Sequence, residues 1–277
     1  MKLVYKYCSV SSAFSILKNS EFWLFNNLSM NDYMDCRWCM YKINQMLETN
    51  FTKDYKDGKF DELLKNYNLN DRPVYMTCFS EEGDLLSQWR GYADDGHGVA
   101  IGIDIEETGI EIKNDYGELN EFFVTNASPN CKLSMGWAKC SYEENKQEDL
   151  LNSIFNNFLN STIDSNKIVN TSALLFTLNI IFKNSGFKEE KEWRLVDVPL
   201  ILNENGKILG NPSALFFLNS LDNIKPYFKY SFSKNCIKEI ILGPKCKISR
   251  NDMNLFLKSN NYNIDFSNIK KSATSYR

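Results

Sequence analysis

Apolar residues fall in short alternating runs near both ends of the chain and in two long helical stretches between them. Residues 3–7 are β-branched and aromatic and predict a strand, and Ser11 and Ser12 stand as N-cap candidates for a short helix carrying Phe14, Ile16 and Leu17. Residues 21–25 again read as strand, so the chain opens β-α-β and reaches Asn31-Asp32. A helix is predicted over 33–47, then a polar stretch over 49–71 with a short helix near 60–67, placed at the periphery. Residues 73–79 read as a strand and 84–92 as a helix with Leu85, Leu86 and Trp89 on one face; a glycine turn at 94–98 leads into a buried strand over 99–103. One or two short strands are predicted between 109 and 130, and another over 136–142.

Residues 144–163 and 169–182 carry the longest helical patterns and pair as a hairpin, an insertion or cap spanning 144–185. After it, strands dominate. A charged loop enters a strand over 188–196, a turn at 203–206 precedes another strand, and a short helix is expected near 214–219. Strands at 226–230 and 237–242 follow, Ser249 caps a helix through 257, a closing strand covers 262–266 and a polar tail from 270 frays. No repeat or linker divides the chain. The pattern is one α+β domain over 1–277, with a mixed or antiparallel sheet as its core.

Composition narrows the chemistry. The chain has 277 residues, 43% hydrophobic and 24% charged, which excludes a disordered or fibrous protein. A net charge of −3 gives no overall basic field for nucleic acid or anionic lipid, and no apolar run has a membrane span's length. A single histidine, His97, excludes mechanisms needing two imidazoles, including paired-histidine metal sites. Eight cysteines without a secretory leader point to the reducing cytoplasm, and the Cys36-x-x-Cys39 pair reads as small buried side chains. Catalysis is thereby directed toward carboxylates, hydroxyls, aromatics and Arg or Lys.

Two constellations offer such groups. In an extended segment Glu190, Glu192 and Arg194 share one face, as an acid/base pair with a guanidinium or as a solvated surface ion pair. The second gathers Ser80, Trp89, Tyr92 and His97, suited to stacking a ring and bonding a ribose; equally, Ser80 serves a turn, Trp89 the core and His97 a solvated turn.

Several short motifs recur in a fixed order: Tyr5-Lys6-Tyr7, Asn31-Asp32, Cys78-Phe79-Ser80, Gln88-Trp89 with Gly91-Tyr92, His97-Gly98, Lys191-Glu192-Trp193-Arg194 and Ile240-Ile241-Leu242-Gly243. On these the chain resembles the bacterial family catalogued as domain of unknown function 2971. It departs at Cys8, where the family carries Arg, and at Tyr33, where it carries Pro. The order is similar to that of ADP-ribosyltransferases: a basic first-strand residue, a serine ending a middle strand and a late strand entered through Glu-x-Glu. That resemblance implies a split sheet, NAD as substrate without a metal, Glu192 as catalytic and Glu190 as its partner. It further implies NAD contacts from Lys6, Tyr7, Ser80, Trp89, Tyr92, His97 and Arg194. The expected activity is that of a cytoplasmic toxin or phage-defence effector modifying a protein or nucleic-acid acceptor. A non-catalytic nucleotide- or peptide-binding module, and a metal-dependent nuclease using Glu190, Glu192 and Asp94 or Asp95, stand as alternatives.

Overall fold

A computed structural model describes residues 1–29, 36–67, 73–110, 112–113, 135–202, 207–209, 215–220 and 223–276. The opening is β-α-β, with β1 (Leu3–Cys8), α1 (Val10–Asn19) and β2 (Glu21–Asn26). α1 begins earlier than Ser11 because Ser9 is its cap: the Ser9 hydroxyl accepts the N–H of Ser12, one of the donors a helix start leaves unpaired. Ser20 ends it in the left-handed region at φ 54°, with its N–H bonded to the Ile16 carbonyl.

The middle of the chain holds α2 (Trp38–Thr49), α3 (Thr52–Lys56), α4 (Asp61–Asn66), β3 (Tyr75–Ser80), α5 (Leu86–Tyr92) and β4 (Val99–Asp104). Gly98 enters β4 where only glycine fits, since a Cβ there would lie 2.2 Å from the Cys8 carbonyl oxygen. Next come β5 (Ile112–Lys113), β6 (Met135–Lys139), α6 (Glu144–Leu159), α7 (Ser165–Ile181) and β7 (Glu192–Asp197). The C-terminal part supplies β8 (Leu200–Leu202), β9 (Lys207–Leu209), β10 (Phe216–Ser220), β11 (Asn223–Ser231), β12 (Ile237–Leu242), α8 (Arg250–Ser259) and β13 (Ile269–Lys271). Asn31-Asp32, most of the 109–130 segment and the 203–206 turn lie outside the described residues.

The architecture is α+β around a mixed, mostly antiparallel open sheet. Its main path runs β10-β11-β2-β3-β1-β4-β12-β13; β12 with β13 and β5 with β6 are the parallel pairs. β3 is the branching strand. One edge pairs along its length with β7, which passes to β6 and β5; the other edge pairs with β2 at Tyr75 and Met76 and with β1 at Ser80.

Alternation along the strands sorts side chains between the two faces. Val4, Tyr75, Phe79, Trp193 and Leu195 enter one core with Leu17 of α1 and Leu257 of α8. On the opposite face, Met76 and Val196 pack under α2, α4, α6 and α7, whereas Tyr7, Ala100 and Ile241 pack under Trp89 and Ala93 at α5. That face therefore carries two separate apolar clusters, and the charged residues of interest lie in the seam between them.

Four expectations are corrected. The stretch placed at the periphery contributes to the core over its described part, 49–67, because Phe51, Phe60, Leu63 and Tyr67 are buried among α6 and α7. Of the 144–185 hairpin, α7 is buried all round from Thr171 onward, including Leu175, Phe176 and Leu178. The predicted helix near 214–219 is instead β10, and the closing strand falls at β13. The tail is tied down, since Asp84 accepts from the Ser272 hydroxyl at 2.5 Å and the Ala273 N–H at 2.7 Å. Among the described residues no helix is long and apolar enough to cross a membrane.

Candidate functional site

The antiparallel register sets Ser80 at the end of β3 directly beside Glu192 at the start of β7, so the two share a face. Behind them Cys78 is registered with Arg194 on that face. The Ser80 hydroxyl donates to the Glu190 carbonyl at 2.7 Å and accepts the Glu82 N–H at 3.1 Å, joining the loop before β7 to the end of β3. Lys191 makes the intervening bend in the left-handed region at φ 44°. Glu190 thus ends a 3-10 turn rather than continuing the strand; alternation does not bring it to Glu192.

Lys183 brings the two carboxylates together. Its ammonium lies 2.6 Å from Glu190 Oε2 and 2.5 Å from Glu192 Oε2. The lysine is placed by a clamp at the end of α7: its N–H donates to the Ser141 carbonyl at 3.0 Å, and Gln147 Nε2 bonds both the Ser141 and Lys183 carbonyls. Arg194 completes the cluster, with Nε 2.9 Å from Glu192 Oε1 and a second nitrogen 2.6 Å from the Ile180 carbonyl. Arg194 is wholly buried, Glu192 nearly so, and Glu190 nearest the surface, with 13% of its side chain exposed.

Electrostatics follow from this packing. Burial favours the protonated form of Glu192, but the charges of Arg194 and Lys183 and their hydrogen bonds outweigh it and hold the carboxyl well below the usual range. Glu192 is therefore anionic in the folded chain. Its N–H donates to the Tyr142 hydroxyl at 3.0 Å. Two rings stand at the outer side: Tyr92, half exposed, donates its hydroxyl to Glu190 Oε1 at 3.2 Å, and the exposed Phe187 lies 5.1 Å from Lys183 Nζ. The arrangement is a carboxylate pair at the foot of an aromatic-edged seam, able to stabilise developing positive charge or to hold hydroxyl groups.

The structure brings together Ser80, Tyr92, Glu190, Glu192 and Arg194. It does not bring Lys6: strand alternation turns that side chain to the opposite face, where its ammonium donates to Thr77 Oγ1 at 2.7 Å and the Cys78 carbonyl at 3.0 Å. Trp89 is no stacking surface, because it is fully buried edge-on against Tyr7 at 4.8 Å and bonded to Asp84 at 2.6 Å. The Tyr7 hydroxyl is committed to the Glu82 carbonyl and the Leu85 N–H. His97 is exposed on the turn before β4, with its N–H bonded to the Asp94 carbonyl at 3.0 Å. Asp95 faces Lys245 and Tyr276 rather than the carboxylate pair, and among the described residues no group of three or more His, Cys, Asp or Glu is placed to hold a metal ion.

Lys183, Tyr142 and Phe187 were not legible as site residues. A lysine at the end of an apolar helix was the available signal for the first, and only the fold places the other two.

No curated protein and no solved structure matches the chain. Residues 88–195 match the profile of the family described as "Protein of unknown function (DUF2971)". The match runs from α5 into β7, so the segment that is similar to this family contains Tyr92, Lys183, Glu190, Glu192 and Arg194.

Proposed function

We propose that the protein is an NAD-cleaving, ADP-ribosyltransferase-like effector of the toxin or phage-defence type, acting on a protein or nucleic-acid acceptor. The observation that supports this reading is the joint between β3 and β7, where Ser80 fixes the Glu-x-Glu loop and two carboxylates meet beside the half-exposed Tyr92 ring. In the reaction, the bond between the nicotinamide nitrogen and ribose C1′ breaks with both electrons leaving on the nitrogen. Nicotinamide departs neutral, and the ribose becomes an oxocarbenium-like cation. Glu192, kept anionic, stabilises that cation. Glu190, nearer the surface, takes the proton of the acceptor group as it bonds C1′. Lys183 and Arg194 offset the repulsion between two neighbouring carboxylates, and Lys183 must yield part of its contact to Glu192 when substrate enters.

Glu192→Gln removes the anion while keeping the side chain's shape. Nicotinamide release from NAD, and toxicity on expression, are expected to vanish in this variant while its circular dichroism spectrum remains that of the parent. Unchanged release in a folded Glu192→Gln protein overturns the assignment.

One observation favours a second reading, a non-catalytic nucleotide- or peptide-binding module. Both oxygens of Glu192 already have cationic partners, which suits a structural joint beneath a binding surface. Stabilisation by nucleotide without nicotinamide release distinguishes it.

A further inference from the structure

Three hydroxyls stand at the carboxylate pair, and two of them are committed as donors. Ser80 donates to the Glu190 carbonyl and Tyr92 to Glu190 Oε1. The third, Tyr142, accepts the Glu192 N–H at 3.0 Å, and among the described residues its own proton has no acceptor. Burial above all, and the Cys140 and Glu192 groups after it, push the Tyr142 phenol up from its ordinary value, so it keeps that proton.

The backbone fixes its place. The Cys140 N–H bonds the Glu192 carbonyl at 2.9 Å at the end of the β6 and β7 ladder, and the Tyr142 hydroxyl then takes the Glu192 N–H in place of a ladder carbonyl. Between them, Ser141 is tied to the end of α7: its N–H donates to the Ile181 carbonyl at 2.7 Å, and its carbonyl accepts the Lys183 N–H at 3.0 Å. Tyr142 is thus held by the clamp that places Lys183, and the charges of Glu192 and Lys183 both act on its hydroxyl. An oxygen that accepts an N–H on one lone pair carries its proton in another direction, so this proton is turned off the ladder.

The two carboxylates can only accept, and Lys183 and Arg194 are already bonded to them. A ligand oxygen beside the pair therefore has Tyr142 as a ready donor. We propose that Tyr142 is a substrate-contacting residue of this site, donating its O–H to a ligand hydroxyl whose own proton goes to Glu192. Resting on the proposed NAD-cleaving function, that hydroxyl is one on the ribose of the nicotinamide end. A hydroxyl is donor and acceptor at once and matches a phenol beside a carboxylate; a phosphate oxygen has no proton to give and would add an anion beside two carboxylates.

The test titrates the full chain calorimetrically with ADP-ribose and with the forms lacking the 2′ or the 3′ hydroxyl of the terminal ribose, alongside nicotinamide release from NAD. Wild type is expected to bind ADP-ribose about tenfold more tightly than one of the deoxy forms. Tyr142→Phe, which removes only the hydroxyl, is expected to weaken ADP-ribose by about the same factor, to leave that deoxy form unchanged and to raise KM for NAD with a smaller change in kcat. Tyr142→Met is the second variant, with a weak acceptor and no donor, and both are checked by thermal melting. Equal binding of the three ligands by wild type overturns the proposal, and so does wild-type preference retained in either folded variant; NAD cleavage, if observed, stands. Equal weakening of all three in the variants also overturns it, leaving Tyr142 a structural partner of the Glu192 N–H. A preference that the variants lose, without release from NAD, keeps the Tyr142 contact and removes the catalytic reading. Binding of none of the three overturns it, and absent release then removes the catalytic reading too.

Discussion

At the scale of the residue, the fate of Glu192 depends on which of three effects prevails. Burial opposes its charge, and Arg194 and Lys183 favour it; the paired charges win, as expected where a buried carboxylate has two cations in contact. The folded-state value lies below the ordinary 4.5, so the sign is fixed: this contribution to stability is full above the ordinary value and lost as pH falls toward the folded one. Urea denaturation between about pH 5 and pH 3 is expected to show a shallower loss of stability in Glu192→Gln than in wild type. Parallel curves contradict the ion-pair geometry. Arg194→Met leaves the buried Glu192 with Lys183 as its remaining cation and is expected to cost about 3 kcal/mol by the same method. A cost near zero would mean that the guanidinium adds nothing to holding the anion.

At the scale of the element, α5 decides how the seam is shaped. Trp89 anchors it to the sheet, Asp84 receives the indole N–H and the tail at Ser272 and Ala273, and Tyr92 extends into the site. Trp89→Ala is expected to lower stability by about 3 to 5 kcal/mol through the cavity it leaves. Asp84→Ala is expected to free the tail, read as faster proteolytic cleavage near 272–276 with the sheet intact. The juxtaposition of Ser80, Glu192 and Arg194 follows local patterns, a strand end and a strand entry, whereas Glu190 reaches Glu192 through the Lys191 bend and Lys183 rather than through strand alternation. Lys6 was misplaced because one residue of register turns a side chain to the other face, and register depends on pairing with β3, which is 69 or more residues away. Trp89 carried a helical spacing that serves a core and a cleft equally, and only packing against Tyr7 separates them.

At the scale of the whole molecule, the fold class was readable from alternating strands flanking long helices, but the layering was not. The α6 and α7 hairpin read as a cap because its pattern stood apart in sequence; in space it completes the second core, where Leu175 and Phe176 pack with residues of α2 and α4. Leu175→Ala is accordingly expected to cost about 2 to 5 kcal/mol, a core penalty that a peripheral cap would not incur. Layering also explains why the charges meet where they do. Two apolar clusters on one sheet face cannot merge across Glu190, Glu192 and Lys183, so the seam remains polar, with Tyr92 and Phe187 at its outer side. The central claim is that this seam cleaves NAD. Its most direct test is a time course of nicotinamide release by the purified wild-type chain at saturating NAD, with the melting temperature recorded in the same solutions. NAD cleavage at the seam requires steady release that Glu192→Gln abolishes; a melting temperature raised by NAD with no nicotinamide formed contradicts it.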